Sequence, residues 1–344
     1  MTRTRPTLRI DLDALAHNYR EMRRLAPGAD VGASVKADAY GLGVDSIVPR
    51  LVAEGCGTFW VATVEEGAEV RGLAPEADVH VLNGCVAGEV DAMRAHGLRP
   101  VLSSPECVET WAGTVAPCAV MFDTGMNRLG LPVGSAEAVA ARGLDVVHVM
   151  SHLACADRVR HPMNAAQREA FQRVWPHFPG AVRSLANSGG VYLGPDYHYD
   201  AVRPGIALYG GCATEGEQAT RSVATVEATV LQVRNVAAGE SVGYDATFVA
   251  KRPMRVAVVG LGYADGYPVD LSNRGWGRFR GERLPVVGRV SMDLTCLDAG
   301  DSGIGVGDAV EFIGDDLSAT ARAAGTIDYE LLVRLGSRLR RSCG

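Results

Sequence analysis

The chain has 344 residues, 47% of them apolar, with a mean hydropathy near zero and a formal charge of −6. That is enough chain for a barrel-sized domain with a smaller companion, and it is too apolar and too evenly charged for a disordered protein. The mild acidity argues against nucleic acid despite the basic cluster Arg334, Arg338, Arg340 and Arg341, and no apolar run is long enough to cross a bilayer.

In chain order, Asp11 is placed to cap a helix in which Leu12, Leu15, Tyr19 and Met22 share one face. Val31 to Val35 reads as a buried strand, and Val44, Ile47, Val48, Leu51 and Val52 as the next helix. The cycle then repeats through TFWVAT, VEEGAEVRGL, DVHVLN, GEVDAMRAHG, RPVLSS, CAVMFDT, LDVVHVMSH, NAAQREAFQRVW and VRSLANS. About eight such units in roughly two hundred residues predict an α/β fold, an N-terminal (β/α)8 TIM-type barrel, with a doubly wound open sheet as the alternative. Past about residue 218 the texture changes. VATVEATVLQVRNV, MRVAVVGLGY and GDAVEFIG alternate on a short period with frequent glycine, and helical periodicity returns only near the end. A barrel over 1–217 and a mostly-β C-terminal domain over 218–344 are therefore expected.

The eight cysteines are scattered and form no CxxC pair, which predicts reduced thiols and no metal site. MTRTRPTLRID lacks the apolar core of a signal peptide, so a cytoplasmic protein is expected.

Chemistry in a parallel barrel sits at the C-terminal ends of its strands. Lys36, Asn83, Arg128, His152, Asn187 with Ser188, and Arg203 with Gly205 all fall there. Ser188, Gly189, Gly190, Gly205 and Ile206 come from the late strands, where barrels hold phosphate on backbone N–H groups. GLGYADG fails as a dinucleotide fingerprint in spacing and context, and the DTG of DTGMNRLG sits in the wrong fold for an aspartic protease. A strand-end lysine, a phosphate cradle and a β domain suit pyridoxal phosphate chemistry.

VKADAYGLG, DTGMNRLG, SHLACAD, ANSGG, RPGIALYG, VGYDATF, GLGYADGYP and GRVSMD, in that order, resemble the motifs of the alanine racemases, pyridoxal 5'-phosphate enzymes of the barrel type. The resemblance implies a homodimer whose active sites join one subunit's barrel to the other's β domain. It makes Lys36 the Schiff-base lysine, Tyr40, Ser188, Gly205 and Ile206 the phosphate contacts, Arg203 the arginine facing the pyridine nitrogen, and His152 the histidine beside the ring. Arg128 is then the arginine near the phenolic oxygen and the substrate carboxylate. The resemblance places the opposite base at Tyr244 rather than Tyr263, and makes Tyr263 and Met292 substrate contacts from the partner subunit. Alanine is the implied substrate, with serine or another amino acid, or cofactor binding without efficient catalysis, as alternatives.

Three positions depart from the family pattern. Met121 stands where a carbamylated lysine commonly orients the arginine, so Arg128 must be oriented otherwise. Ser184 replaces a histidine that links the ring-facing arginine to the tyrosine base, and the family's RVPR reads RLRR at Arg338 to Arg341.

Overall fold

The computed structural model describes residues 5–215 and 219–344. They form two compact units, one from the described residues of 15–208 and 212–220, the other from those of 1–14, 209–211 and 221–344.

The first unit is a closed parallel barrel. Its opening strand is split into Asp30–Val31 and Ala33–Ser34. Thr58–Val61, Asp78–Val81, Arg99–Leu102, Cys118–Asp123, Val146–Met150, Val182–Asn187 and Ala201–Arg203 follow, each parallel to the one before. Ala201–Arg203 pairs back onto Asp30–Val31, which closes the ring and excludes the open sheet. The N–H groups of Gly32 and Ser34 complete the seam by donating to the carbonyls of Val202 (3.0 Å) and Pro204 (2.9 Å). The break within the expected Val31–Val35 strand falls at Gly32, between the part paired with Ala201–Arg203 and the part paired with Thr58–Val61, and only glycine fits there. A Cβ there would stand 2.8 Å from Trp60 Nε1 and 3.1 Å from the Thr58 carbonyl.

The connecting helices carry the expected apolar faces. Asp11 Oδ1 accepts from the Ala14 N–H (2.7 Å), capping Leu12–Leu25. In Val44–Ala53 the residues Val44, Ile47, Val48 and Leu51 are buried, whereas Val52 is 41% exposed and lies off the face assigned to it.

The second unit is built on the strand Ala224–Val236, whose first seven residues alternate between buried and half-buried. Its first half pairs antiparallel with Thr7–Ile10 and Ala309–Ile313, its second half with Met254–Val259. Thr7–Ile10 opens the chain yet joins this sheet, with Leu8 and Ile10 fully buried. The closing strand Arg340–Cys343 runs parallel to it. Arg340 and Arg341 are thus part of a sheet edge, and Arg338 is paired with Asp293 (2.7 Å) and Asp265 (3.1 Å). Leu317–Ala323 and Asp328–Val333 supply the late helical periodicity. Among the described residues no helix is long and apolar enough to cross a membrane, and no cluster of side chains could hold a metal.

Candidate active site

Lys36 follows the first barrel strand, and the chain then does something its composition disfavours. Ala37, Asp38, Ala39 and Tyr40 are all left-handed, with φ between 51° and 58°. For residues bearing a Cβ this costs roughly 1–2 kcal/mol each. Two carboxylates hold the turn. Glu66 accepts from the N–H groups of Ala37 (2.8 Å) and Ala62 (2.7 Å), and Asp38 accepts from that of Val44 (2.9 Å). The turn buries Tyr40 and carries its hydroxyl to the last barrel strand. There a Cβ on residue 205 would stand 2.2 Å from the Tyr40 oxygen, so only glycine fits. Burial raises the Tyr40 hydroxyl above its usual pKa, tempered by a hydrogen bond with Ser34, so it stays a neutral donor.

Beside Tyr40, Ser188 Oγ accepts from the N–H groups of Gly205 (2.8 Å) and Ala207 (3.3 Å). Asn187 Oδ1 accepts from the Gly190 N–H (2.9 Å), fixing the turn that holds Ser188. A Cβ on Gly189 would lie 2.8 Å from the Ala213 carbonyl, so this wall too is closed to side chains. Ile206 starts the 3-10 turn Ile206–Tyr209 and is fully buried. A hydroxyl cluster on a backbone stripped of Cβ atoms is a cradle for an anionic oxygen group.

Four cationic or basic groups of the barrel unit are close enough to feel one another's charge. Burial pulls the Lys36 amine below its usual pKa, Arg128 adds to that, and Glu66 opposes it. His152 is pushed down to about 3 by burial and by Arg203, Arg128 and Lys36, so its imidazole is neutral. Arg203 is buried, and its Nη1 donates to Ser184 Oγ (2.5 Å) and its Nη2 to the Ser151 carbonyl (2.6 Å). Burial lowers it to about 9, still cationic at neutral pH. Arg128 is exposed and takes part in none of the hydrogen bonds or ion pairs among the described residues. Its loop is set by Asp123 Oδ1, which accepts from the N–H groups of Gly125 (2.8 Å), Met126 (2.9 Å) and Asn127 (3.1 Å). Asn83 is exposed and adds nothing to this group.

The remaining predicted residues lie in the β unit. Tyr244, Tyr263 and Met292 are 69%, 44% and 53% exposed. The N–H groups of Tyr263 and Ala264 donate to the carbonyls of Ser291 and Met292 (both 3.0 Å), an approach that a Cβ on Gly262 would block at 2.3 Å. Tyr244 lies in a turn whose Asp245 is paired with Arg289, so all three residues border the segment 288–292.

Residues 10–213 match the model of the alanine racemase N-terminal domain, and residues 223–343 that of the C-terminal domain. The chain belongs to the alanine racemase family. It is 46% identical to the alanine racemase of Acidiphilium cryptum over 350 aligned residues, covering 98% of each chain. It is 45% identical to the biosynthetic alanine racemase of Agrobacterium fabrum, over 97% of this chain and 92% of that one. Among solved structures, the alanine racemase of Bartonella henselae with covalently bound pyridoxal phosphate superposes with a TM-score of 0.94. That pair is 36% identical over 99% of this chain and all of the other.

Two departures from the alanine racemase pattern acquire physical content. Met121 packs in the barrel interior with Trp60, Val101, Ala119 and Met150, where it offers no polar support to Arg128. Ser184 donates to the Ala201 carbonyl (2.8 Å) while accepting from Arg203, so a short hydroxyl seats the guanidinium. Sequence reasoning missed Glu66 and Gln167. Gln167 donates to the His152 carbonyl (2.9 Å) and accepts from the Ala154 N–H (2.8 Å), bracing the loop that carries His152. Glu66 had a signal, since Thr63-x-x-Glu66 after an apolar strand is a capping-box pattern.

Proposed function

We propose that this chain is a pyridoxal-phosphate-dependent racemase that interconverts L- and D-alanine, working as a homodimer in the cytoplasm. The observation that carries the reading is the joining of one amine to one anion cradle. Lys36 is the single lysine of the barrel unit, Lys251 being the only other in the chain, and its turn delivers Tyr40 to Gly205 and Ser188. The cradle has the hydroxyls and Cβ-free backbone that a phosphate ester needs, so the residues fit the cofactor. Lys36 would hold it covalently, Tyr40, Ser188, Gly205 and Ile206 would hold its phosphate, and His152 and Arg203 would flank its ring. Bound there, pyridoxal phosphate supplies an electron sink that lets an amino acid's α-hydrogen leave as a proton.

The chain's own residues do the rest. A lysine with a lowered pKa can take the α-proton and return it near neutral pH. Arg203 would set a cation against the ring nitrogen, which would disfavour protonation there and restrict side reactions. Arg128, without a hydrogen bond or ion pair among the described residues, can take the substrate carboxylate. Inversion requires a second proton carrier on the opposite face, and Tyr244 of the partner subunit fills that role in this reading. The exposure of Tyr244, Tyr263 and Met292 on the β unit supports a domain that completes a partner's site. The eight free cysteines suit a reducing compartment.

Borohydride reduction followed by peptide mass spectrometry tests the cofactor assignment, and label on Lys251 or on neither lysine sinks it. Exchange of the α-proton in deuterated water, with alanine and serine compared, tests the reaction. Faster exchange into serine would move the substrate assignment.

A further inference from the structure

Among the described residues no carboxylate pairs with the buried guanidinium of Arg203, and burial alone shifts its pKa. Its polar partners are two neutral oxygens, Ser184 Oγ and the Ser151 carbonyl. Its remaining neighbour of note is aromatic, the Trp60 ring centroid lying 5.5 Å from Cζ, within cation–π range. His80 stacks on that indole at 4.2 Å with 17° between the planes, and His148 meets His80 edge-on at 4.5 Å.

These rings make no use of their polar edges. Among the described residues Trp60 Nε1, both ring nitrogens of His80 and His148 Nδ1 are buried without hydrogen-bond partners. Leucine or phenylalanine would fill the same space without orphaned nitrogens, so polarity here brings no return in stability. The faces make the contacts. The backbone also makes room for the indole, since residue 32 has no Cβ to press on Trp60 Nε1.

We propose that Trp60, fixed by the His80 ring stacked on it, is the positioning residue that seats Arg203 through its π face. A carboxylate could hold the guanidinium equally well but would cancel its charge. A π face, a hydroxyl and a carbonyl hold it and leave its full positive field directed at whatever ring nitrogen it meets. The link to the cofactor rests on the reading of Arg203 given above; the seating of Arg203 does not.

The test uses Trp60→Leu and Trp60→Phe, with Val101→Ala as a control that loosens the same interior cluster while every ring of the stack is kept. Crystal structures of the cofactor-free proteins report the seat directly. In Trp60→Leu the guanidinium should leave Ser184 Oγ or the Ser151 carbonyl, and in Trp60→Phe and Val101→Ala it should stay. In the loaded enzyme the readout is the ratio of racemisation to half-transamination. In the latter, water releases alanine's carbon skeleton as pyruvate while its nitrogen stays on the cofactor. That side reaction should gain on racemisation by roughly tenfold in Trp60→Leu and hardly at all in the other two. An unmoved Arg203 in Trp60→Leu, or an equal change in Val101→Ala, overturns the proposal. If Trp60→Leu does not fold, His80→Leu carries the same test, and an unchanged seat and ratio there overturn it equally. Failure of the wild-type protein to take up pyridoxal phosphate would sink the functional reading and leave the crystallographic result standing.

Discussion

The Tyr40 hydroxyl occupies the space that a side chain on Gly205 would need, with only 2.2 Å between the oxygen and an ideal Cβ. The backbone around them is committed elsewhere: the Gly205 N–H donates to Ser188 Oγ and the Ser34 N–H to the Pro204 carbonyl. Gly205→Ala should therefore displace Tyr40 rather than the strand. Loss of one phosphate hydroxyl predicts about a tenfold or greater rise in the dissociation constant for pyridoxal phosphate, from a charge-assisted hydrogen bond of about 1.5–3 kcal/mol. Titration of cofactor-free protein checks it. Wild-type affinity in the variant would remove Tyr40 from the cradle.

Asp316 ties together the outer strands of the β unit. Its carboxylate accepts from Trp276 Nε1 (2.9 Å) and is paired with Arg278 and Arg283 (2.5 Å each). Burial alone would raise this carboxyl, but the hydrogen bonds from Arg278, Arg283 and Trp276 hold it well below the usual range. The sign follows from linkage. A carboxyl depressed in the folded state stabilises above its unfolded pKa of about 3.9, and that contribution is lost as pH falls through the folded value. Asp316→Ala should cost about 1–3 kcal/mol at pH 7, because it removes the charge-assisted hydrogen bonds of a buried carboxylate while the partly exposed arginines stay hydrated, and much less near pH 2. Urea midpoints at both pH values measure the difference.

Three neutral imidazoles inside the barrel unit impose a second pH dependence, at milder acidity. His80 is held well below its usual pKa by burial and by His148, and His148 is lowered to about 4 by burial and by Arg99 and Arg203. His152 lies at about 3. Below about pH 6.5 the unfolded chain protonates all three and the folded chain does not, so stability falls as pH falls. The slope approaches about 1.4 kcal/mol per pH unit for each histidine, or about 4 for the three together. Melting of the cofactor-free protein between pH 7 and 5 should show it, and His80→Phe should lower the slope by about a third. A flat profile over that range would contradict the assigned neutrality.

The barrel was legible in the sequence because strands buried on both faces read as short apolar runs, and six of the eight stand where TFWV, DVHV, RPVL and their successors predict. Val31–Val35 was legible as a strand although its break at Gly32 was not, and Ala201–Arg203 was marked only through Arg203 as a strand-end residue. Thr7–Ile10 could be placed only by its pairing with strands more than two hundred residues distant. At the site, Lys36, Arg203 and Ser188 were legible by position at strand ends. The left-handed course of Ala37–Tyr40 was not, since ADAY contains no glycine and its local preference is right-handed. Trp60 and His80 read as ordinary strand residues until their unpaired nitrogens are seen.

That left-handed turn gives Glu66 two roles, which one substitution can separate. Its carboxylate accepts from the Ala37 N–H, restraining the turn, and its charge raises the pKa of Lys36 against burial and Arg128. Glu66→Gln removes the charge and keeps one acceptor oxygen, which can serve the Ala37 N–H while the Ala62 N–H loses its partner, so the turn should survive at a cost of about 1–3 kcal/mol while the amine becomes easier to deprotonate. The rate at which an aldehyde reagent modifies Lys36 in cofactor-free protein should then rise at lower pH than in the wild type, with the plateau unchanged. Glu66→Ala removes the acceptor as well. It leaves two backbone N–H groups without a partner, at about 1–3 kcal/mol each, and should weaken cofactor binding besides. A pH profile in Glu66→Gln that coincides with the wild type would confine Glu66 to the structural role.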